Sequence, residues 1–183
     1  MENNRIKMAL VTSILCALVL LIGSAHSFFE YKIDGNNIQL ESGDLGIKFD
    51  GGINYIDIPS AYPISDTIGK IYPYYADFTV SAVIETVNIN YELQIVPSEN
   101  TTIDTKYIKV YLTDQSDNPI LGPISYSKLD DATYNTTGKI LHVGQFKNSG
   151  INCFRVRVWI DEAYRKNVSE IFGFKIYLYA VNS

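Results

Sequence analysis

The chain has 183 residues, 46% hydrophobic and 19% charged, with six prolines, enough to bury one sizeable core and only one. A net charge of −5 and the lack of any run of Lys or Arg exclude a protein that tracks nucleic-acid phosphates. Aromatic residues reach 13%, 14 of them tyrosine, and the apolar positions are rich in Ile and Val, which suits pleated sheets.

The first element in chain order is a leader. Arg5 and Lys7 precede the apolar run "MALVTSILCALVLLIG", and Ala25 and Ser27 give a small-x-small pattern just before Phe28. This predicts a secretory signal cut after Ser27. Left uncut, the uncharged stretch from Met8 would span a bilayer with its basic end cytoplasmic, so membrane contact is expected only through residues 8–27. Both readings export the rest, to the cell surface or the extracellular space. The chain thus divides into a signal peptide or anchor, 1–27, and a folded domain, 28–183. Cys16 lies in the leader and Cys153 is alone in the body, so no internal disulfide is expected there.

After the cut the new terminus carries Phe28, Phe29, Tyr31 and Ile33 ahead of the turn-forming "DGNN". An apolar extended segment at a free end can pair with its own sheet or add as a donor strand to a neighbour's edge. "NIQLESGDLGIKFDGGINYIDI" then reads as two or three strands broken at "SGD" and "DGG". A Pro-containing loop, "PSAYPISDTIGKIYPYY", follows.

Next come strands with a two-residue period. "ADFTVSAVIE" puts Phe78, Val80, Ala82 and Ile84 on one face; "YELQIV" does the same with Tyr91, Leu93 and Ile95, and "YIKVYLTD" with Ile108, Val110 and Leu112. "DQSDNP" turns the chain toward "ILGPI", and "SYSKLDDATY" has room for one helical turn. "KILHVGQF" precedes "CFRVRVWI", where Phe154, Val156, Val158 and Ile160 oppose Arg155, Arg157 and Trp159. In the closing "FGFKIYLYAV", Phe172, Phe174, Ile176, Leu178 and Ala180 alternate with Gly173, Lys175, Tyr177 and Tyr179. About nine strands at this spacing predict an all-β fold, a single jelly-roll-like β-sandwich after an N-terminal signal or anchor helix.

The order of these features, a leader ending "SAHSFF", then "LESGDLGIKF", "YPISDTIGK", "DFTVSAV", "YIKVYLTD", "FRVRVWIDE" and "FGFKIYLYAV", resembles the TasA and camelysin family. The resemblance implies export through a specialised signal peptidase, a jelly-roll fold and assembly into biofilm-matrix fibres. The partner would then be the chain itself, as a homopolymer, or other matrix proteins. This chain is short for the family, which implies that the inserted segments of longer members are absent.

Camelysin has been classed as a metalloprotease, an activity that needs two or three metal ligands and a position for water. Only His142 belongs to the body, His26 being at the leader boundary, and there is no H-E-x-x-H. No serine sits in a G-x-S-x-G elbow. Asp130 with Asp131 and Asp161 with Glu162 lie beside predicted turns and read as solvated turn acids. Asp114, Asp117 and Asn118 supply oxygen ligands without the full calcium-loop pattern, and a hairpin turn explains them better. Catalytic residues, cofactor and metal are therefore expected to be none.

By alternation Tyr107, Tyr111, Trp159, Tyr177 and Tyr179 fall on non-core faces, where they form an expected association surface. Asn100, Asn135 and Asn167 are N-x-S/T sequons in polar stretches. The expected function is an exported, non-enzymatic fibre subunit joined by strand addition. The alternatives are a monomeric membrane-anchored adhesion module and, more weakly, a camelysin-like surface protease.

Overall fold

The computed structural model describes residues 46–51, 63–84, 88–99, 101–134, 137–165 and 172–182. The leader, the segment holding Phe28, Phe29, Tyr31 and Ile33, and the sequons Asn100, Asn135 and Asn167 lie outside the described residues.

Eight strands fall within them, against about nine expected. They are β1 (Ile47–Gly51), β2 (Ala76–Ala82), β3 (Ile89–Pro97), β4 (Ile108–Thr113), β5 (Pro119–Ser125), β6 (Lys139–Phe146), β7 (Gly150–Ile160) and β8 (Phe174–Asn182). Helix is confined to α1 (Asp66–Gly69) and two 3₁₀ turns, Thr105–Tyr107 and Tyr126–Lys128. The second of these is the helical turn expected in "SYSKLDDATY".

The strands form two antiparallel sheets, of order β1-β2-β7-β4-β5 and β6-β3-β8. β2 and β7 are neighbours in the first sheet, and the strands that follow them, β3 and β8, are neighbours in the second. Both connections cross from sheet to sheet, which interlocks the layers as an all-β sandwich.

The alternation written in the strands supplies the core between the layers. Val80, Leu93, Ile95, Val110, Leu112 and Val156 are fully buried, each stabilising the fold by about 1.5–3 kcal/mol relative to an exposed position. Phe78 pairs with Phe154 across β2 and β7, and its ring stacks on both Phe154 and Phe49, at 5.4 and 5.5 Å between centroids. Between the sheets, Asn152 Nδ2 on β7 donates to Tyr91 Oη on β3 at 2.8 Å, giving the buried phenol a partner.

The β4–β5 connection is the hairpin that "DQSDN" suggested. Asp114 Oδ1 accepts from the backbone N–H of Ser116 at 2.8 Å and of Asn118 at 2.9 Å, while Oδ2 accepts from Asn118 Nδ2 at 2.7 Å. Asp117 takes φ 62° inside the turn, a conformation Asp tolerates better than most side chains. β5 is irregular: its pairing with β4 shifts twice, and the bond Gly122–Pro123 is cis, with Gly122 at φ 81° against the Val110 carbonyl. A side chain at Gly122 would meet both that strained φ and that oxygen.

Candidate functional site

The outer faces of the two sheets hold the features that the period alone does not resolve. On the five-stranded sheet, residues 63–75, expected to be a loop, form a strap laid across β7 and β4. Ile64 N donates to the Ile160 carbonyl at 3.0 Å and anchors one end. Asp66 meets Lys109 Nζ at 3.4 Å, and the same ammonium lies 3.5 Å from Asp161. Gly69 sits flat on the Trp159 ring, close enough that any Cβ there would clash with Cδ2 and Cε2. The Tyr72 carbonyl accepts from Arg157 Nε at 3.0 Å, and the Tyr75 ring lies 4.0 Å from the Arg155 guanidinium carbon.

This strap corrects the expected association surface. Trp159 is only 1% exposed, and Tyr111, edge-on to it at 6.5 Å, is buried with it. Tyr177 and Tyr179 are buried on the outer face of the three-stranded sheet, and Tyr107 is half-buried, edge-on to Tyr164. Tyr111, Trp159, Tyr177 and Tyr179 lie outside the core as alternation assigned them, yet are buried where they lie, whereas Tyr107 belongs to a 3₁₀ turn and packs against the core. The exposed apolar side chains are instead on the strap, with Ile71 77% and Tyr74 67% exposed, and at the sheet margins, with Val143 and Ile151.

Below the strap runs a charge network. Arg155 makes a bidentate pair with Asp77, at 2.7 and 2.9 Å, and Arg157 Nη1 donates to Asp117 Oδ1 at 2.8 Å. Arg155 also reaches Asp117, at 3.3 Å. Hydrogen bonding to Asp77 pushes the Arg155 guanidinium further up its range. Hydrogen bonding from Arg157, then its charge and the contacts of Arg155, hold the Asp117 carboxyl below its ordinary value. Of the expected turn acids after β7, Glu162 is exposed, but Asp161 is not simply solvated. It pairs with Lys109 and accepts from the Ala163 N–H at 2.9 Å.

His142 faces the core between Tyr91 and Phe154, and burial lowers its pKa. Cys153 is a half-buried thiol on the Arg155 face. Among the described residues no group of three or more His, Cys, Asp and Glu side chains is placed to hold a metal.

Sequence reasoning missed Glu92 and Gln94. Both occupy outward positions of β3, where the period predicts solvated polar side chains, yet both are buried. The loop after Leu129 covers them: the Thr133 N–H donates to Glu92 Oε1 at 3.0 Å, Gln94 Nε2 donates to the same oxygen at 2.6 Å, and Tyr134 stacks on Tyr179 at 5.8 Å. Beside Glu92 a pocket of about 60 Å³ opens between Tyr134, Tyr179, Val143, Val181 and Asn90. No pattern in "YELQIV" marks this site.

The sequence matches no protein-family model and no curated protein.

Proposed function

We propose that the chain is an exported, non-enzymatic protein that serves as a subunit of a cell-surface or matrix fibre and associates by strand addition, as its resemblance to TasA and camelysin-type proteins implies. The observation that carries this reading is an asymmetry between sheet edges. β5 ends the five-stranded sheet with Pro119 and Pro123, neither able to donate a ladder hydrogen bond, and with two shifts of register. β6 and β8, the edges of the three-stranded sheet, hold no proline; the start of β6 is covered by the chain's own residues, the Ile140 N–H donating to the Asp130 carbonyl at 2.9 Å, and beyond it Val143 is 61% exposed. β5 is guarded against another chain, whereas β6 beyond Ile140 has no partner strand on its outer side among the described residues.

The donor in this reading is the segment of Phe28, Phe29, Tyr31 and Ile33, released by cleavage after Ser27. Addition of that strand to a neighbour's edge is head-to-tail and propagates unless a rotation closes it. The experiment removes residues Phe28 to Asp34 and compares folding, by circular dichroism, with assembly, by electron microscopy. A folded variant that forms no filaments is the expected result, and a folded variant that still forms them overturns strand donation.

The second reading is a monomeric adhesion module held in the membrane by residues 8–27, favoured by the uncharged stretch from Met8 to Phe29. Fractionation separates the two. A fibre subunit is recovered outside the cell without its leader, whereas an anchored module stays at full length in the membrane fraction.

A further inference from the structure

Glu92 is 5% exposed and has no basic partner among the described residues, although buried carboxylates are ordinarily paired. Its Oε1 is fully committed to Gln94 Nε2 and the Thr133 N–H. Its Oε2 accepts no hydrogen bond among the described residues. It is also not sealed: the buried atoms without partners are Gln94 Oε1, Thr113 Oγ1 and Trp159 Nε1. Glu92 is one of the residues that line the pocket.

We propose that this pocket binds a primary alkylammonium group, the end of a lysine side chain or of a small free amine. The charge fits, because an ammonium supplies the counter-ion that Glu92 lacks and N–H donors for the open oxygen. The walls fit, because Tyr134 and Tyr179 present π-systems to a cation and Val143 and Val181 present apolar surface to its methylenes. The size fits too, since about 60 Å³ takes a head group of a few heavy atoms. A guanidinium is disfavoured: with one carboxylate oxygen already taken, it would lose the bidentate pairing that suits its planar fork. A calcium ion, which needs six or more oxygens, would find one free carboxylate oxygen and the Asn90 side chain, whose oxygen already accepts from Gln145. The site does not rest on the fibre reading, although Val143 belongs both to its wall and to the β6 edge which that reading uses.

The test is a titration of the ¹⁵N-labelled protein with n-butylammonium chloride, and with n-butanol as a neutral analogue of the same shape, followed by NMR. Saturable shifts at the Tyr134 and Val143 amides are expected with the amine, and affinity weaker by roughly tenfold or more with the alcohol. Glu92→Gln keeps an acceptor for Thr133 but removes the charge, and it should weaken amine binding by a similar factor. Should that variant fail to fold, Val143→Phe narrows the mouth from an exposed edge position and should abolish binding with the fold retained. A second arm compares the peptides acetyl-Gly-Lys-Gly-amide and acetyl-Gly-Arg-Gly-amide. Lysine peptide binding as tightly as the amine identifies a lysine of a partner chain as the occupant, and binding of the amine alone identifies a free amine. Absence of saturable shifts, equal binding of butanol or of the arginine peptide, or binding undiminished in the folded variants overturns the proposal.

Discussion

Replacing Gly69 with alanine sets two effects of opposite sign against each other. Gly69 ends α1 with no positive φ, so on helix propensity alone the change should stabilise the protein by at most about 1 kcal/mol. The added Cβ, however, would fall inside contact of Trp159 Cε2 and Cδ2 and 2.6 Å from Cζ2. Carbon atoms pack best about 3.5–4.0 Å apart, so the strap must lift by roughly 1 Å or the indole must move. The ring is rigid and held from the side by Tyr111, so the strap is the part that yields. Overpacking of this kind costs about 1–3 kcal/mol, and the net expectation is a loss of about 0.5–2 kcal/mol in urea denaturation. Trp159 is the one tryptophan in the chain and its Nε1 is buried without a partner, so fluorescence isolates the event. Emission should move to the red in Gly69→Ala as water reaches the indole. A variant as stable as the wild type or more so, with unchanged emission, would refute the packing of the strap on Trp159.

Two further predictions follow from the outer faces. Tyr177→Ser should cost about 3 kcal/mol or more in urea denaturation because its ring is buried, whereas Tyr74→Ser on the strap should stay within about 0.5 kcal/mol. The Asp117 carboxyl, held low by Arg157 and then Arg155, contributes stability that is complete above its unfolded value of about 4 and is lost as pH falls through the lower folded value. Denaturation midpoints measured at pH 6 and pH 3 should therefore differ less in Asp117→Asn than in the wild type.

Inner faces were legible in the sequence and outer ones were not, and the reason is physical. A two-residue period records which side of a strand is apolar, and Phe78, Val80, Leu93, Val110, Val156 and Leu178 are buried as that period requires. It carries no information about what lies over the opposite side. Arg157 and Trp159 look like solvent-facing residues until the Tyr72 carbonyl and the Gly69 backbone are placed on them, through contacts about 85 to 90 positions distant in sequence. The helix in the strap spans four residues, about one turn, too short to leave a 3.6-residue signature. Glu92 escaped for the same reason as Trp159: its cover, the Thr133 backbone, lies 41 residues away. The "DQSDN" hairpin was legible because its chemistry is local, with every hydrogen bond of Asp114 made within four residues.

The interlocked connections have a consequence for how the chain is made. β2 finds its second neighbour only when β7, residues 150–160, is available, and β3 lies beside β8, residues 174–182. During synthesis the β4–β5 hairpin and the β3–β6 pairing can form early, but the two layers cannot close until the last strand has left the ribosome. A domain with such distant pairings folds late and slowly, with its apolar strands unsatisfied in the meantime. Until β8 emerges, the apolar faces of β2, β3 and β7 have no completed layer to close against, so the interval between β3 and β8 is when the chain is most exposed to misassociation.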